Sequence, residues 1–345
     1  MHDVSGLHRL TGRCLRFEGR QRIQSLAGGV NVPALIALIT RLDQAEEDAW
    51  LEALTATMPN ERIVSFRTLD PSQRHDVEIA IVANPDPGDV AALPHLALIQ
   101  SLWAGVERLV SELGLNAPPI VRMVDPEMAR TMSEAVLAWT YSIQRDMPAY
   151  ARQQRERIWR QRPYRKPTDM TVGLLGLGAL GAASARRLTN AGFRVVGWSR
   201  SPKHLPDVEA LSGEEGLAAV LSMSDVVVCL MPLTSETRGL LNAHRFAQVK
   251  PGAALINFAR GPIVVEPDLL AALGSGRISH AVLDVFDEEP LPATSPLWTH
   301  PHVTVLPHIS APTDRHTAAE VVAENVRRFR RGERMSDVVD ANRGY

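Results

Sequence analysis

Short apolar runs alternate with amphipathic stretches along most of the chain. Residues 34–40, 62–66, 77–83, 96–101 and 120–124 read as strands, with helical stretches such as 46–57 and 104–113 between them. Strands that alternate with helices argue for a parallel sheet covered on both faces. The segment 126–159 breaks this rhythm. Met128, Met132, Ala135, Val136, Ala138, Trp139 and Ile143 recur at helical spacing, and the stretch is longer than a usual globular helix. It is expected to be two helices broken near Pro148, or a span joining two domains. The strand-helix rhythm then resumes, with strands expected at 193–198, 226–231, 253–258, 280–285 and 303–306, and helices including 214–222 and 267–273.

The second half is organised around TVGLLGLGALG at residues 171–181. An apolar strand runs into Gly176, Gly178 and Gly181, and the small residues 182–189 follow as a helix. At this G-x-G-x-x-G spacing the first glycine permits a tight turn. The second lets backbone approach a pyrophosphate, and the third lets helix and strand pack closely. The helix N-terminus adds free N–H groups for the anion. Glycine turns are common, so the context decides: the strand at 193–198 closes a βαβ unit. Leu177, Ala179 and Leu180 complete the candidate dinucleotide loop. With the strand before the loop, six parallel strands are expected, a doubly wound Rossmann sheet with ligands at the carboxyl ends of its strands.

Composition adds limits rather than chemistry. The chain has 345 residues, enough for two domains, with 45% hydrophobic and 22% charged residues, ordinary for a globular protein. A net charge of -2 gives no reason to expect nucleic acid or an anionic membrane surface. No apolar run reaches membrane-spanning length. Two cysteines, Cys14 and Cys229, make no disulfide framework, and a reducing, cytoplasmic setting is the default. Residues 1–31 carry five arginines against Asp3 and Glu18 without helix or strand period, and are expected to be an unstructured leader. No metal site is expected.

Two further regions carry candidate chemistry. After the second strand of the βαβ unit, an acidic residue would hydrogen-bond a ribose 2′-OH, whereas arginine accommodates a 2′-phosphate. This chain has Ser199, Arg200, Ser201 and Lys203 there and no carboxylate. NADPH is therefore the preferred cofactor expected, with NADH left open. Near the ends of later strands stand Arg260, in NFARG, Glu289, in DVFDEEP, and His308, in VLPHIS. Each alone is an ordinary loop residue. Together they match what reduction of a 2-keto acid requires: a cation for the carboxylate and polarised carbonyl, and an acid for the forming alkoxide. Glu289 can orient the imidazole and raise its pKa.

The segments NFARGPIVVEPDLLAAL, AVLDVFDEEPLP, SPLWTHPHVTVLPHIS and LMPLTSETRGLLN resemble the D-isomer-specific 2-hydroxyacid dehydrogenases. AWLEAL near Trp50, SLWAGVERL, the WSRSPK turn and the closing ANRGY resemble the glyoxylate/hydroxypyruvate reductase A group among them. The resemblance covers residues 32–345. It implies that Arg260, Glu289 and His308 are catalytic, and that a substrate-carboxylate loop falls on Trp103, Ala104 and Gly105. It places Asp284 near the nicotinamide, although a strand-end aspartate can equally be structural. Many relatives have glycine where Trp103 stands, so the indole is expected to narrow the pocket towards two- or three-carbon acids.

The resemblance further implies a Rossmann cofactor domain, residues 126–313, inserted into a smaller flavodoxin-like substrate domain, residues 32–125 and 314–345. The helix at 317–331 would cross back to that smaller domain. A homodimer through the cofactor domain and the interdomain helix is implied too. The expected activity is NADPH-dependent reduction of glyoxylate to glycolate and hydroxypyruvate to glycerate. Oxidation of another D-2-hydroxy acid such as phosphoglycerate stays open, as does a non-catalytic NAD(P)-sensing protein.

Overall fold

The structure is a computed structural model that describes residues 34–340. The expected leader and the closing ANRGY lie outside the described residues. Two parallel sheets carry the fold. The first contains β1 (Leu35–Thr40), β2 (Ile63–Ser65), β3 (Val77–Ala83), β4 (Leu98–Ser101) and β5 (Ile120–Val121). Their spatial order is β2-β1-β3-β4-β5, the flavodoxin-like doubly wound order. Alternate residues of β1 serve opposite faces: Ile36 and Leu38 join one core layer, Leu35, Ala37 and Ile39 the other. Burial on both faces explains why the strand reads as a continuous apolar run.

The second sheet contains β6 (Thr171–Leu175), β7 (Arg194–Trp198), β8 (Glu209–Leu211), β9 (Val226–Cys229), β10 (Ala253–Asn257), β11 (Ile278–Leu283) and β12 (Val303–Val305). Its order is β12-β11-β10-β9-β6-β7-β8, so the fold reverses direction beside β6, at the end of which the glycine turn lies. The sheet has seven strands, not the expected six. The additional strand, β8, is a three-residue edge pairing with β7 only, too short to show a period. Val172 and Leu174 face one core layer, Leu175 the other, together with Cys229. Burial pushes the Cys229 thiol up to about 12, which keeps it protonated and unreactive.

The helices are α1 (Gln44–Thr57), α2 (Pro87–Ala91), α3 (Glu107–Leu113), α4 (Pro126–Gln144), α5 (Met147–Glu156), α6 (Ala179–Asn190), α7 (Gly213–Met223), α8 (Ala243–Gln248), α9 (Glu266–Gly274) and α10 (Arg315–Arg330). Among the described residues, no helix is long and apolar enough to cross a membrane. The long stretch expected at 126–159 is two helices, and the break falls at Asp146, in left-handed conformation (φ 56°), with Pro148 in the first turn of α5. Met132 and Val136 of α4 pack into the core of the seven-stranded sheet.

Helix α10 returns to the five-stranded sheet, as expected. Ala318, Val322 and Val326 join the same core layer as Trp50 and Leu54 of α1, and Asn325 donates to the buried Gln100 side chain at 2.9 Å. The two chain crossings between the lobes are tied together. Asp125, 4% exposed, caps α4 by accepting from the Glu127 N–H at 2.8 Å and also accepts from the Thr317 hydroxyl at 2.6 Å.

Candidate active site

Each glycine of the turn has its own local geometry. Gly176 has φ 109°, and a Cβ there would lie 2.8 Å from the Leu230 carbonyl carbon, so only glycine makes this turn. A Cβ at Gly181 would lie 1.9 Å from the Gly176 carbonyl oxygen, so α6 packs against the turn only without a side chain. At Gly178 a Cβ would meet nothing within 4 Å. The space over that backbone is open, which suits the approach of a pyrophosphate. Gly178 is also the N-cap of α6, which begins earlier than the expected 182 because the turn leads directly into it.

Gly176, Leu177, Gly178, Ala179 and Leu180 line one cleft together with Ser199, Arg200, Ser201 and Lys203. Leu177 contributes backbone, since its side chain is buried against Gly197. Gly181 does not line the cleft and acts through packing. The Ser199 hydroxyl donates to the Ser201 carbonyl at 2.7 Å, which shapes the turn after β7. The Arg200 guanidinium lies 3.3 Å from Glu236, a carboxylate that the loop after β9 carries to this turn and that local spacing did not reveal. The open backbone at Gly178 and the cationic turn together fit a phosphorylated dinucleotide.

The same cleft continues at Ala104, Gly105, Leu180, Phe258 and Arg260 into a second chamber of about 770 Å³. Trp103, Ala104, Gly105, Arg260, Asp284, Glu289 and His308 all line it. Arg260 follows β10 in the cofactor lobe, whereas residues 103–105 follow β4 in the other lobe. Helix α3 starts at Glu107 rather than the expected 104. Residues 104–106 form an irregular loop instead, and a Cβ at Gly105 would sit 1.7 Å from Arg260 Nη2. Arg260 Nη1 donates to the Ala259 carbonyl at 2.7 Å, and Nε lies 3.4 Å from Glu107. This interlobe carboxylate was also missed, because nothing local to Glu107 distinguishes it from a first-turn acid on any helix.

His308 and Glu289 are in direct contact, with the imidazole Nδ1 2.8 Å from a Glu289 carboxylate oxygen. The other oxygen of Glu289 accepts from the Phe286 N–H at 2.9 Å. The hydrogen bond to Glu289 raises the His308 pKa; burial and the nearby Arg260 charge oppose it, and the charges of Glu289 and Asp284 add to it. Burial alone would raise the Glu289 pKa. Hydrogen bonds to His308 and Phe286, with the positive charges of His308 and Arg260, bring it below the ordinary carboxylate value instead. The pair is therefore biased towards imidazolium and carboxylate.

Asp284 is 2% exposed and its two oxygens accept from the N–H groups of Ile309 and Ser310, at 2.8 and 2.9 Å. It clamps the turn in which His308 takes φ 55°, so it holds the imidazole's backbone while lining the chamber. Trp103 lies against Trp50, with ring centroids 6.1 Å apart at 79°, so the indole is braced from behind as it faces the chamber.

Residues 137–310 match the model of the D-isomer specific 2-hydroxyacid dehydrogenase NAD-binding domain. The chain belongs to the D-isomer specific 2-hydroxyacid dehydrogenase family. It is similar to glyoxylate/hydroxypyruvate reductase A of Photorhabdus laumondii, with 39% identity over 303 residues, 86% of this chain and 96% of the relative. Among solved structures, a D-isomer specific 2-hydroxyacid dehydrogenase from Xanthobacter autotrophicus Py2, in complex with NADPH and MES, superposes with a TM-score of 0.85 at 41% identity. The match covers 91% of this chain and 100% of that one. The NADPH-dependent glyoxylate/hydroxypyruvate reductase of Sinorhizobium meliloti, in complex with NADP and sulfate, gives 0.82 at 33%, over 90% of this chain and 100% of that one. As a family member with an NAD(P)-binding domain, this protein is an NAD(P)-dependent oxidoreductase acting on the 2-hydroxy acid/2-keto acid couple.

Proposed function

We propose that the protein reduces small 2-keto acids, glyoxylate to glycolate and hydroxypyruvate to glycerate, with NADPH. One arrangement carries the reading: the hydrogen-bonded His308–Glu289 pair and Arg260 line one chamber that runs on into the glycine turn. When bound, the reduced nicotinamide supplies a hydride. Residues 126–313 hold the cofactor, and residues 32–125 with 314–345 supply the substrate side.

Arg260 binds the substrate carboxylate and polarises the keto oxygen, against the loop of Trp103, Ala104 and Gly105. With Nδ1 directed to Glu289, the His308 Nε2–H is the proton donor left for the keto oxygen as it gains charge. Glu289 keeps that imidazole oriented and protonated, and Asp284 keeps its turn in place. The Arg200 and Lys203 charges support a 2′-phosphate, and relatives were crystallised with NADPH and NADP. Glu236 is the observation that favours NADH, since a carboxylate there can accept from a ribose 2′-OH.

We further propose a cytoplasmic homodimer. Trp159, 99% exposed, and Ile158 and Tyr164 follow α5 as apolar side chains left in solvent, which suits burial against a second copy. Sedimentation of the wild type and Trp159→Ser tests this. The activity is tested by following NADPH absorbance with glyoxylate, hydroxypyruvate or, in the oxidative direction, phosphoglycerate. Rapid oxidation of NADPH by the first two is expected. Turnover of phosphoglycerate alone would replace the reading.

A further inference from the structure

We propose that Glu107 is a positioning residue for Arg260 and the charge by which the chamber rejects 2-keto acids carrying a second carboxylate. The inference rests on the reductase reading above and deepens it. Glu107 opens α3 in the substrate lobe, and its carboxylate reaches across the cleft to Arg260 Nε at 3.4 Å. Nη1 donates to the Ala259 carbonyl, at 2.7 Å. With both ends fixed, the guanidinium presents Nη2 to the Gly105 backbone. Glu107 thus sets the direction in which Arg260 offers its donors.

The same carboxylate is also part of the chamber wall. A Cβ placed on Gly105 would have Arg260 Nη2 at 1.7 Å and Glu107 Oε2 at 3.0 Å, so a cation and an anion flank one loop residue. Their side chains are 32% and 24% exposed, which leaves the charges less screened than a surface pair. A monocarboxylate completes the arrangement, taking Arg260 while Glu107 keeps the guanidinium in place. A second carboxylate near the loop faces Glu107 at close range. The neighbouring Arg108 is paired with Glu112 on α3, at 2.6 Å.

The test compares 2-ketobutyrate with oxaloacetate, acids of equal carbon number that differ in one terminal carboxylate. Wild type, Glu107→Gln and Glu107→Asp are loaded with NADP+, which has no hydride to give, and each acid's affinity is measured by calorimetry; kcat and KM are measured separately with NADPH, and thermal midpoints confirm folding. Glu107→Gln is expected to raise the affinity and kcat/KM of oxaloacetate relative to 2-ketobutyrate by about tenfold, the effect of removing one like charge at short range. Glu107→Asp keeps the charge but is too short to hold Nε. It should preserve the wild-type ratio while raising KM for both acids more than it lowers kcat. An unchanged ratio in Glu107→Gln, or the same change in both variants, overturns the inference. If the wild type turned over neither glyoxylate nor hydroxypyruvate, the reductase reading would fall while the affinity ratio of oxaloacetate to 2-ketobutyrate still judged Glu107.

Discussion

The guanidinium of Arg260 occupies the space that a side chain at position 105 would need: the distance from Nη2 to a Cβ on Gly105 is 1.7 Å. The two residues come from different lobes, so this absence of a side chain lets the cofactor side of the cleft touch the substrate side. Gly105 is not held at positive φ, so alanine suits its backbone. Gly105→Ala should therefore fold with nearly the wild-type thermal midpoint while Arg260 is displaced by an ångström or more. Misplacement on this scale is expected to lower kcat/KM by about 10²-fold. Steady-state kinetics beside a melting curve check it, and wild-type kinetics would show that Arg260 need not lie against this loop.

The His308–Glu289 contact makes the reaction sensitive to pH in a definite direction. Reduction needs the protonated imidazole, and Glu289 raises the His308 pKa, so the rate should be sustained through neutral pH and fall as pH rises through the raised value. Oxidation of the hydroxy acid needs neutral imidazole and should show the opposite limb. Glu289→Gln removes the charge that supports the imidazolium, so the alkaline fall in reduction should move to lower pH. His308→Ala should lower kcat by roughly 10²–10⁴-fold. A pH–rate profile that Glu289→Gln leaves unmoved would deny Glu289 this part.

What could be read before folding, and what could not, follows from where the information lies. Gly176, Gly178 and Gly181 were legible because each demand is local to one turn. Arg260, Glu289 and His308 were legible as a set because a parallel sheet delivers the ends of its strands to one edge. Glu107 and Glu236 were not, since each acquires meaning only from an arginine brought to it by another part of the fold. Helix α3 starts later than the apolar pattern suggests for the same reason: Ala104 and Val106 extend that pattern, but the loop around Gly105 packs directly against Arg260. Strand β8 escaped notice because three residues at a sheet edge carry too little pattern.

Trp103 should set the size limit of the chamber. Its indole faces the cleft and is backed edge-on by Trp50, whose own ring lies beneath the Arg315 guanidinium at 5.6 Å. A side chain braced in this way does not swing aside for a bulky substrate. Trp103→Ala is expected to raise kcat/KM for a branched six-carbon 2-keto acid relative to glyoxylate by about tenfold or more, because each methylene accommodated is worth about 1–3 kcal/mol. Loss of the edge contact should lower stability by about 0.5–1.5 kcal/mol beyond the lost burial. A substrate panel run on both proteins decides it; efficient use of the branched acid by the wild type would remove Trp103 from the role.

Cofactor choice should turn on the contest between Arg200 and Glu236. At 3.3 Å their charges are partly matched, and their side chains are 44% and 65% exposed, so solvent weakens the pair and a 2′-phosphate can take the guanidinium from it. Phosphate carries more charge and more acceptors than a carboxylate, and a charge-assisted contact of this kind contributes about 1.5–3 kcal/mol. Arg200→Ala should then raise KM for NADPH by about tenfold or more and leave NADH nearly unaffected. Glu236→Gln should act the other way, lowering KM for NADPH because the phosphate no longer meets a carboxylate beside its partner. Kinetics with both cofactors on the three proteins separate the cases. If Glu236→Gln instead impaired NADH and left NADPH unchanged, the carboxylate would be reading a ribose hydroxyl, and NADH would be the natural cofactor.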